Sequence, residues 1–124
     1  MSEVLGPGPA ALTTDRAAYR PGDQGTMTLR NRGSEELRFD LCPRQLERLC
    51  GGRWIVTERL PYPGEGFATE LCRLAPGATA DASFRLARGL ACGTYRWRFF
   101  GVGDRVGAPA PDGGRLTNRF QVEA

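Results

Sequence analysis

The chain has 124 residues, and its 17 basic side chains, all of them arginine, outnumber its 14 acidic ones to give a net charge of +3. This length makes one domain with one hydrophobic core, and so mild a charge falls well short of that of a nucleic-acid-binding domain. The chain contains no histidine, which excludes Ser-His-Asp and Cys-His nucleophiles and zinc sites that need imidazole.

Residues 1–9 are rich in glycine and proline and carry no periodic pattern. They predict a flexible leader ahead of a single domain that spans residues 10–124. The opening stretch lacks the charged and apolar regions of a signal peptide, and no apolar run approaches the roughly 20 residues of a membrane span. We therefore expect no membrane span, and export would require a signal outside this sequence.

Alternation of apolar and polar residues with period two predicts β-strands through the rest of the chain. The segment "GTYRWRFF" is the clearest, with Tyr95, Trp97 and Phe99 on one face and Arg96 and Arg98 on the other. Clusters of glycine and proline separate the alternating runs as turns. In chain order, the predicted strands cover residues 10–14, 24–31, 36–42, 45–49 paired with 53–58, 68–73, 79–87, 93–101 and 115–122.

One segment, "CPRQLERLCGG", also fits a helix. Pro43 would lie in the first turn of that helix and Gly51 just past its end, with Leu46 and Leu49 one turn apart. We favour a strand that turns back through Gly51 and Gly52, and the helix stays an alternative.

Seven or eight short strands in a chain of this size predict an all-β fold, a two-sheet antiparallel immunoglobulin-like sandwich. The segments "TDRAAYRPGD", "TMTLRNRGSEELRFDL", "LAPGA", "GTYRWRF" and "TNRFQVEA" resemble bacterial immunoglobulin-like domains, over about residues 12–122. The strand opening "YRPGD" is also similar to those of fibronectin-like and macroglobulin-type modules. The resemblance implies a non-catalytic extracellular domain, and these families share no catalytic residues that could be carried over.

The predicted core lies between the two sheets and is formed by the apolar residues that alternate inward. Its members are Met27, Leu29, Leu37, Phe39, Trp54, Phe84, Leu86, Tyr95, Trp97, Phe99, Phe120 and Val122.

Two tyrosines are expected to serve the architecture. Tyr95 stands at the start of its strand and resembles a tyrosine corner, whose hydroxyl ties down a loop. Tyr19 belongs to the polar stretch "TDRAAYRPGD" with Asp15 and Arg16. We interpret this stretch as the passage between the first two strands, with Tyr19 packed beneath a turn at Pro21 and Gly22.

Four cysteines, Cys42, Cys50, Cys72 and Cys92, are an even number in a small, loop-rich chain. Such a count fits two disulfides in an oxidising compartment, whereas their spacing does not suit a zinc site. Three pairings are possible, and the strand order of the resemblance favours Cys42 with Cys72 and Cys50 with Cys92. Four buried, reduced thiols are the alternative.

The connection Gly101–Gly114 is far longer than an ordinary hairpin loop, and such connections are often either binding loops or unstructured. Immunoglobulin variable domains bind antigen with the loop at this place. Asp104, Arg105 and Asp112 are therefore candidates for contact with a partner.

A second candidate surface is a row of arginines on the outside of one sheet, formed by Arg38, Arg96, Arg98 and Arg119. Such a row suits carboxylate, sulfate or phosphate groups of a partner. The alternative, which we favour, is that Glu35, Glu36, Asp40 and Glu47 neutralise it in cross-strand pairs. Tyr95, Trp97 and Phe99 point the other way, so we expect this face to lack the aromatic residues on which a nucleic acid would stack, and we expect no nucleic-acid partner.

Together these patterns predict a non-catalytic, extracytoplasmic interaction module without cofactor or metal. It would contact a protein or surface-polymer partner through its loops or an edge strand. Two alternatives are a proteinase inhibitor that uses the Gly101–Gly114 loop or "LPYPGEGF" at residues 60–67, and a self-assembling subunit of a surface filament.

Overall fold

The computed structural model describes residues 8–60, 72–104 and 114–124, and this part of the chain contains strands and no helix. The prediction of an all-β fold is confirmed. In chain order the strands are β1 (Ala10–Thr14), β2 (Ala18–Tyr19), β3 (Gln24–Asn31), β4 (Leu37–Cys50), β5 (Arg53–Leu60), β6 (Cys72–Leu74), β7 (Thr79–Arg85), β8 (Gly93–Asp104) and β9 (Phe120–Val122).

The strands form two sheets. The small sheet has the order β1-β3-β7, and the large sheet has the order β2-β9-β8-β4-β5 with β6 also paired to β4. All pairings are antiparallel except that of β2 with β9, which is parallel. The predicted strand at residues 10–14 is β1 of the small sheet, and the chain crosses to the large sheet before β2.

Strand β4 is the centre of the large sheet and replaces two separate predicted strands. It pairs with β8 along one edge, whereas β6 and β5 follow one another along its other edge. The register with β8 shifts between Asp40 and Arg44, a stretch that includes Pro43, which has no N–H to donate to a ladder. Leu46 is fully buried in the core while its neighbours face away from it, so the helical alternative for this segment is wrong.

The core lies between the two sheets, where Phe84 of the small sheet meets the large one. Its ring centroid lies 5.4 Å from that of Trp97 and 6.2 Å from that of Phe120. Large apolar side chains of this kind contribute about 1.5–3 kcal/mol each when buried. The described core comprises Ala10, Leu12, Tyr19, Met27, Leu29, Leu37, Leu41, Leu46, Leu74, Phe84, Leu86, Tyr95, Trp97, Phe99, Val102, Phe120 and Val122.

One predicted core residue does not belong to this core. Trp54 is only partly buried, and it lies on the outer face of the large sheet. It pairs with Leu49, which lies two residues after Glu47 and on the same face of β4. Trp54 therefore takes the face opposite to Leu46. Phe39 is partly buried and packs against the edge of the core.

The passage from β1 to β3 is tied by a polar cluster around the Tyr19 hydroxyl. This hydroxyl donates to Oδ1 of Asp15 and accepts a hydrogen bond from the amide of Arg16 at 3.1 Å. The same Asp15 oxygen accepts a hydrogen bond from the amide of Thr26, 3.1 Å away. Gly22 turns the chain with φ of 88°, a value that favours glycine. The cluster is thus a structural tie.

Candidate interaction face

The outer face of the large sheet gathers one carboxylate, one indole and three guanidinium groups. We call the set Glu47, Trp54, Arg96, Arg98 and Arg119 the arginine–tryptophan face. Side chains alternate along a strand, so the inward placement of Leu46 on β4 and of Tyr95, Trp97 and Phe99 on β8 turns Glu47, Arg96 and Arg98 outward. β5 contributes Trp54, and Arg119 immediately precedes β9.

Glu47 is the buried anchor of this face, with 5% of its side chain exposed. Its two carboxylate oxygens accept hydrogen bonds from Nε of Arg96 at 2.7 Å and Nε of Arg98 at 2.9 Å. A third bond, 2.6 Å long, comes from Nε2 of Gln45. Burial disfavours the ionised form, but the bonds from Gln45 and the two arginines outweigh it and hold the pKa of Glu47 below its ordinary value.

Trp54 lies against two of these arginines. The guanidinium carbon of Arg96 is 4.1 Å from the ring centroid, and that of Arg119 is 5.4 Å away. Both distances are within the range of a cation–π contact, which contributes about 0.5–1 kcal/mol at a partly exposed site. Arg96 is thus fixed between an indole and a carboxylate.

The terminal nitrogens of Arg96 and Arg119 are available to a ligand. Arg96 uses its Nε for Glu47, and its two Nη atoms have no hydrogen-bond acceptor among residues 8–60, 72–104 and 114–124. Arg119 contacts the Trp54 ring and forms no ion pair within the same ranges. Guanidinium N–H groups form strong paired hydrogen bonds with carboxylates.

The structure brings together three of the four arginines predicted for this row. Arg38 lies elsewhere, opposite Gly103 near the start of β4, and forms an ion pair with Glu36 at 3.4 Å. Of the predicted neutralising carboxylates, Glu47 pairs with Arg96 and Arg98, whereas Asp40 accepts a bond from the amide of Cys42. Among the described residues neutralisation is therefore partial, since Glu47 pairs with Arg96 and Arg98 and leaves Arg119 without an ion pair in these ranges.

The expectation that this face lacks aromatic residues is wrong. Trp54 lies within it, and Phe100, two residues beyond Arg98 along β8, is 36% exposed. The sequence signal for Phe100 was present, because it continues the outward alternation of Arg96 and Arg98. Trp54 gave no such signal, since "RWIVTE" shows no alternation of apolar and polar residues.

The predicted binding loop between β8 and β9 starts later than expected. Gly101 to Asp104 complete β8, and the backbone of Asp104 pairs with Leu37. Arg105 and Asp112 lie outside the described residues, as do residues 61–67 of the segment "LPYPGEGF" and residues 1–7 of the leader.

All four cysteines are free and exposed in the structure, so the alternative of four buried thiols is wrong. Neither predicted bridge is formed, and the two pairings stay predictions. Arg48 of β4 pairs with Tyr95 of β8. Cys50, the last residue of β4, and Cys92, directly before β8, therefore lie at the same end of these two paired strands. Cys72 instead pairs with Phe39, three residues before Cys42.

The tie expected of Tyr95 is present at this end of the sheet. Its hydroxyl donates a hydrogen bond of 2.6 Å to the carbonyl of Ala91. Burial, the largest influence, raises the pKa of the phenol.

No group of three or more cysteine, aspartate and glutamate side chains in the described part of the chain is arranged to hold a metal ion. None of the elements in these ranges is a helix with the length and apolar character needed to cross a bilayer.

No protein-family model matches the chain, and no curated protein matches it. Solved structures that it resembles include the alkylpurine DNA glycosylase AlkC of Pseudomonas fluorescens, bound to DNA containing an abasic site analogue, at 11% identity and a TM-score of 0.46. Others are the sporulation control protein Spo0M of Bacillus subtilis, at 18% and 0.46, and a PapD-like domain of human CEP192, at 15% and 0.35. The matches cover 96%, 94% and 98% of this chain, and they span 32%, 50% and 91% of the three solved chains, the last of which is a single domain.

Proposed function

We propose that this chain is a non-catalytic, immunoglobulin-like interaction module that binds an acidic partner protein on its arginine–tryptophan face. The observation that carries the proposal is the fixed position of Arg96 between Glu47 and Trp54, with terminal nitrogens left for a ligand. Two packed sheets of mainly antiparallel strands support the immunoglobulin-like part of the proposal.

Charge on the face favours an anionic ligand. Both oxygens of Glu47 are already occupied by Arg96 and Arg98, and Arg119 adds a positive charge that no carboxylate of the described residues neutralises. Because Arg96 is held in place before a ligand arrives, little of its side-chain entropy remains to be lost on binding. A carboxylate of the partner would therefore gain a charge-assisted hydrogen bond at low ordering cost.

The surroundings of the face favour a protein over a nucleic acid. Single-stranded nucleic acids stack their bases on open aromatic rings, whereas the Trp54 ring is in contact with two guanidiniums. Exposed apolar side chains, Val56 and Phe100, lie on the same face of the sheet. Apolar and arginine side chains close together are common in protein–protein interfaces.

An extracytoplasmic location is part of the proposal and rests on the even number of cysteines. It is tested by recovering the protein from its native host under alkylating conditions and counting the cysteines that carry the alkyl group. A fully alkylated chain with four reduced cysteines speaks against this location.

The binding proposal is tested with fluorescein-labelled poly-L-glutamate, followed by fluorescence anisotropy at low and moderate salt. We expect saturable binding that weakens by at least about tenfold when Arg96 and Arg119 are both replaced by glutamine, since each charge-assisted bond is worth roughly 1.5–3 kcal/mol. The matched control replaces Arg30 and Arg88, exposed arginines that form no ion pair with a described residue.

Both variants lose the same charge, so the comparison separates a defined site from general attraction. An equal loss in both variants contradicts the proposed face. Tighter binding of an oligothymidylate or of a sulfated polysaccharide than of poly-L-glutamate contradicts the protein partner.

A further inference from the structure

β5 is an edge strand with an apolar exposed centre. It pairs with β4 on one side, and no strand in the described ranges pairs with its other side. Ile55 is 47% exposed and Val56 is 41% exposed. An edge of this kind presents unpaired backbone N–H and C=O groups and is a template for pairing with another strand.

The other sheet edges are protected from such pairing. β7 carries exposed polar residues along its length, namely Thr79, Asp81, Ser83 and Arg85. On β1, the amide of Thr14 already donates to Asn118, and β2 has only two residues. Charged residues and very short strands are the usual means of protecting an edge. β5 is eight residues long and carries no charged residue from Trp54 to Thr57.

We propose that two copies of this chain pair through β5, antiparallel to one another, with a two-fold axis at Ile55. In this register Ile55 lies opposite Ile55 of the second copy, and Trp54 lies opposite Val56 of the second copy, twice by symmetry. Trp54 and Val56 share the outer face because they pair with Leu49 and Glu47 of β4. Apolar and aromatic cross-strand pairs of this kind stabilise antiparallel sheets.

Neighbouring registers fit less well. An axis at Val56 would place Arg53 opposite Arg59 of the second copy, and like charges directly opposite are destabilising. An axis between Ile55 and Val56 would pair two residues whose side chains lie on opposite faces of the sheet. The irregularity of β5 begins only after Val56, since the register with β4 shifts between Leu46 and Glu47. The strand is therefore regular over Trp54, Ile55 and Val56, the residues at the centre of the proposed contact.

The paired form joins the two large sheets into one continuous sheet with both arginine–tryptophan faces on the same side. This inference does not depend on the proposed function, because the pairing rests on the β5 edge alone. An isologous contact of this type closes on itself and yields a dimer instead of a filament.

The first test is sedimentation equilibrium of the full chain over a range of concentrations. We expect a monomer–dimer equilibrium for the wild type and at least tenfold weaker dimerisation for Ile55→Lys and for Val56→Lys. The control is Thr79→Lys, which adds the same charge to the edge strand β7 and is expected to dimerise as the wild type does. A wild type that stays monomeric up to roughly 1 mM, the limit of weak association, or an undiminished dimer in Ile55→Lys, would overturn the proposal.

The second test fixes the register by cross-linking. In a chain whose four native cysteines are changed to serine, Ile55→Cys is compared with Glu58→Cys under mild oxidation. Directly opposite residues in an antiparallel pair have Cα atoms about 4.5–5.5 Å apart, within the reach of a disulfide. We expect a cross-linked dimer for Ile55→Cys only, seen by intact mass spectrometry. Cross-linking through Glu58→Cys alone would contradict the axis at Ile55.

The two tests stand independently. If the cysteine-free chain does not fold, as judged by the fluorescence of buried Trp97, the sedimentation experiment with the native cysteines still decides whether β5 is the dimer contact.

Discussion

Nε of Arg96 donates to Glu47 at 2.7 Å while its guanidinium carbon lies 4.1 Å from the ring centroid of Trp54. The three residues come from three neighbouring strands, β8, β4 and β5. One arginine thus links the middle of the large sheet to its edge, and the stability of this face depends on the carboxylate beneath it.

Replacing Glu47 by glutamine is expected to destabilise the fold by about 2–3 kcal/mol. The carboxylate is buried, and its loss removes the charge that accepts hydrogen bonds from both Arg96 and Arg98, although both arginines are partly exposed to solvent. Urea unfolding monitored by circular dichroism measures the difference. Glu36→Gln is the control, because its half-exposed pair with Arg38 is expected to be worth less than about 1 kcal/mol.

The contribution of Glu47 also depends on pH in a defined direction. Its pKa is lowered in the folded state, so the stabilisation is complete above the ordinary glutamate pKa of about 4.3 and is lost as the pH falls through the lower folded value. The difference in unfolding free energy between the wild type and Glu47→Gln should therefore shrink below about pH 4. A difference that stays constant from pH 7 to pH 3 would contradict this account.

Tyr19→Phe is expected to cost about 1–2 kcal/mol of stability, because the hydroxyl joins Asp15 to the amide of Arg16. The Tyr19 hydrogen bond is the largest influence that lowers the pKa of Asp15. Its removal should raise that pKa towards the ordinary aspartate value, which carboxyl resonances in an NMR titration report directly. An Asp15 pKa that stays unchanged in Tyr19→Phe would contradict this account.

Mild oxidation is expected to close Cys50–Cys92 before Cys42–Cys72. Cys50 is the last residue of β4, and Cys92 directly precedes β8, the strand that pairs with β4. Cys72 instead lies opposite Phe39, three residues before Cys42. In the chain-entropy treatment, a bridge that closes a loop of this length stabilises by about 4 kcal/mol. Non-reducing peptide mapping identifies the bridge, and a first bridge between Cys42 and Cys72 would reverse the expected order.

Much of the fold follows from alternation alone. The limits of β1 and β3 agree with the predicted 10–14 and 24–31, because polar outer faces and glycine turns delimit these strands. The parallel pairing of Ala18 and Tyr19 with β9 could not be predicted. A strand of two residues is too short to show a period, and its partner lies a hundred residues away.

The candidate site was predictable where side chains alternate and unpredictable where they do not. Arg96 and Arg98 were placed together because β8 is regular along this stretch. The apolar, β-branched run "RWIVTE" predicts a place in the core for Trp54. Its pairing with Leu49 of β4 turns it outward, where Arg96 and Arg119 contact its ring, and neither the register nor these long-range contacts are encoded in the local sequence.

The parallel pairing of β2 with β9 determines how these two strands resist a mechanical force that pulls them apart lengthwise. The amide of Gln121 donates to the carbonyl of Ala17, and the amide of Glu123 donates to that of Tyr19. A force that pulls β2 towards its N-terminus and β9 towards its C-terminus draws these parallel strands past one another. The bonds are then loaded together in shear, so the domain should resist extension more strongly than a hairpin opened bond by bond.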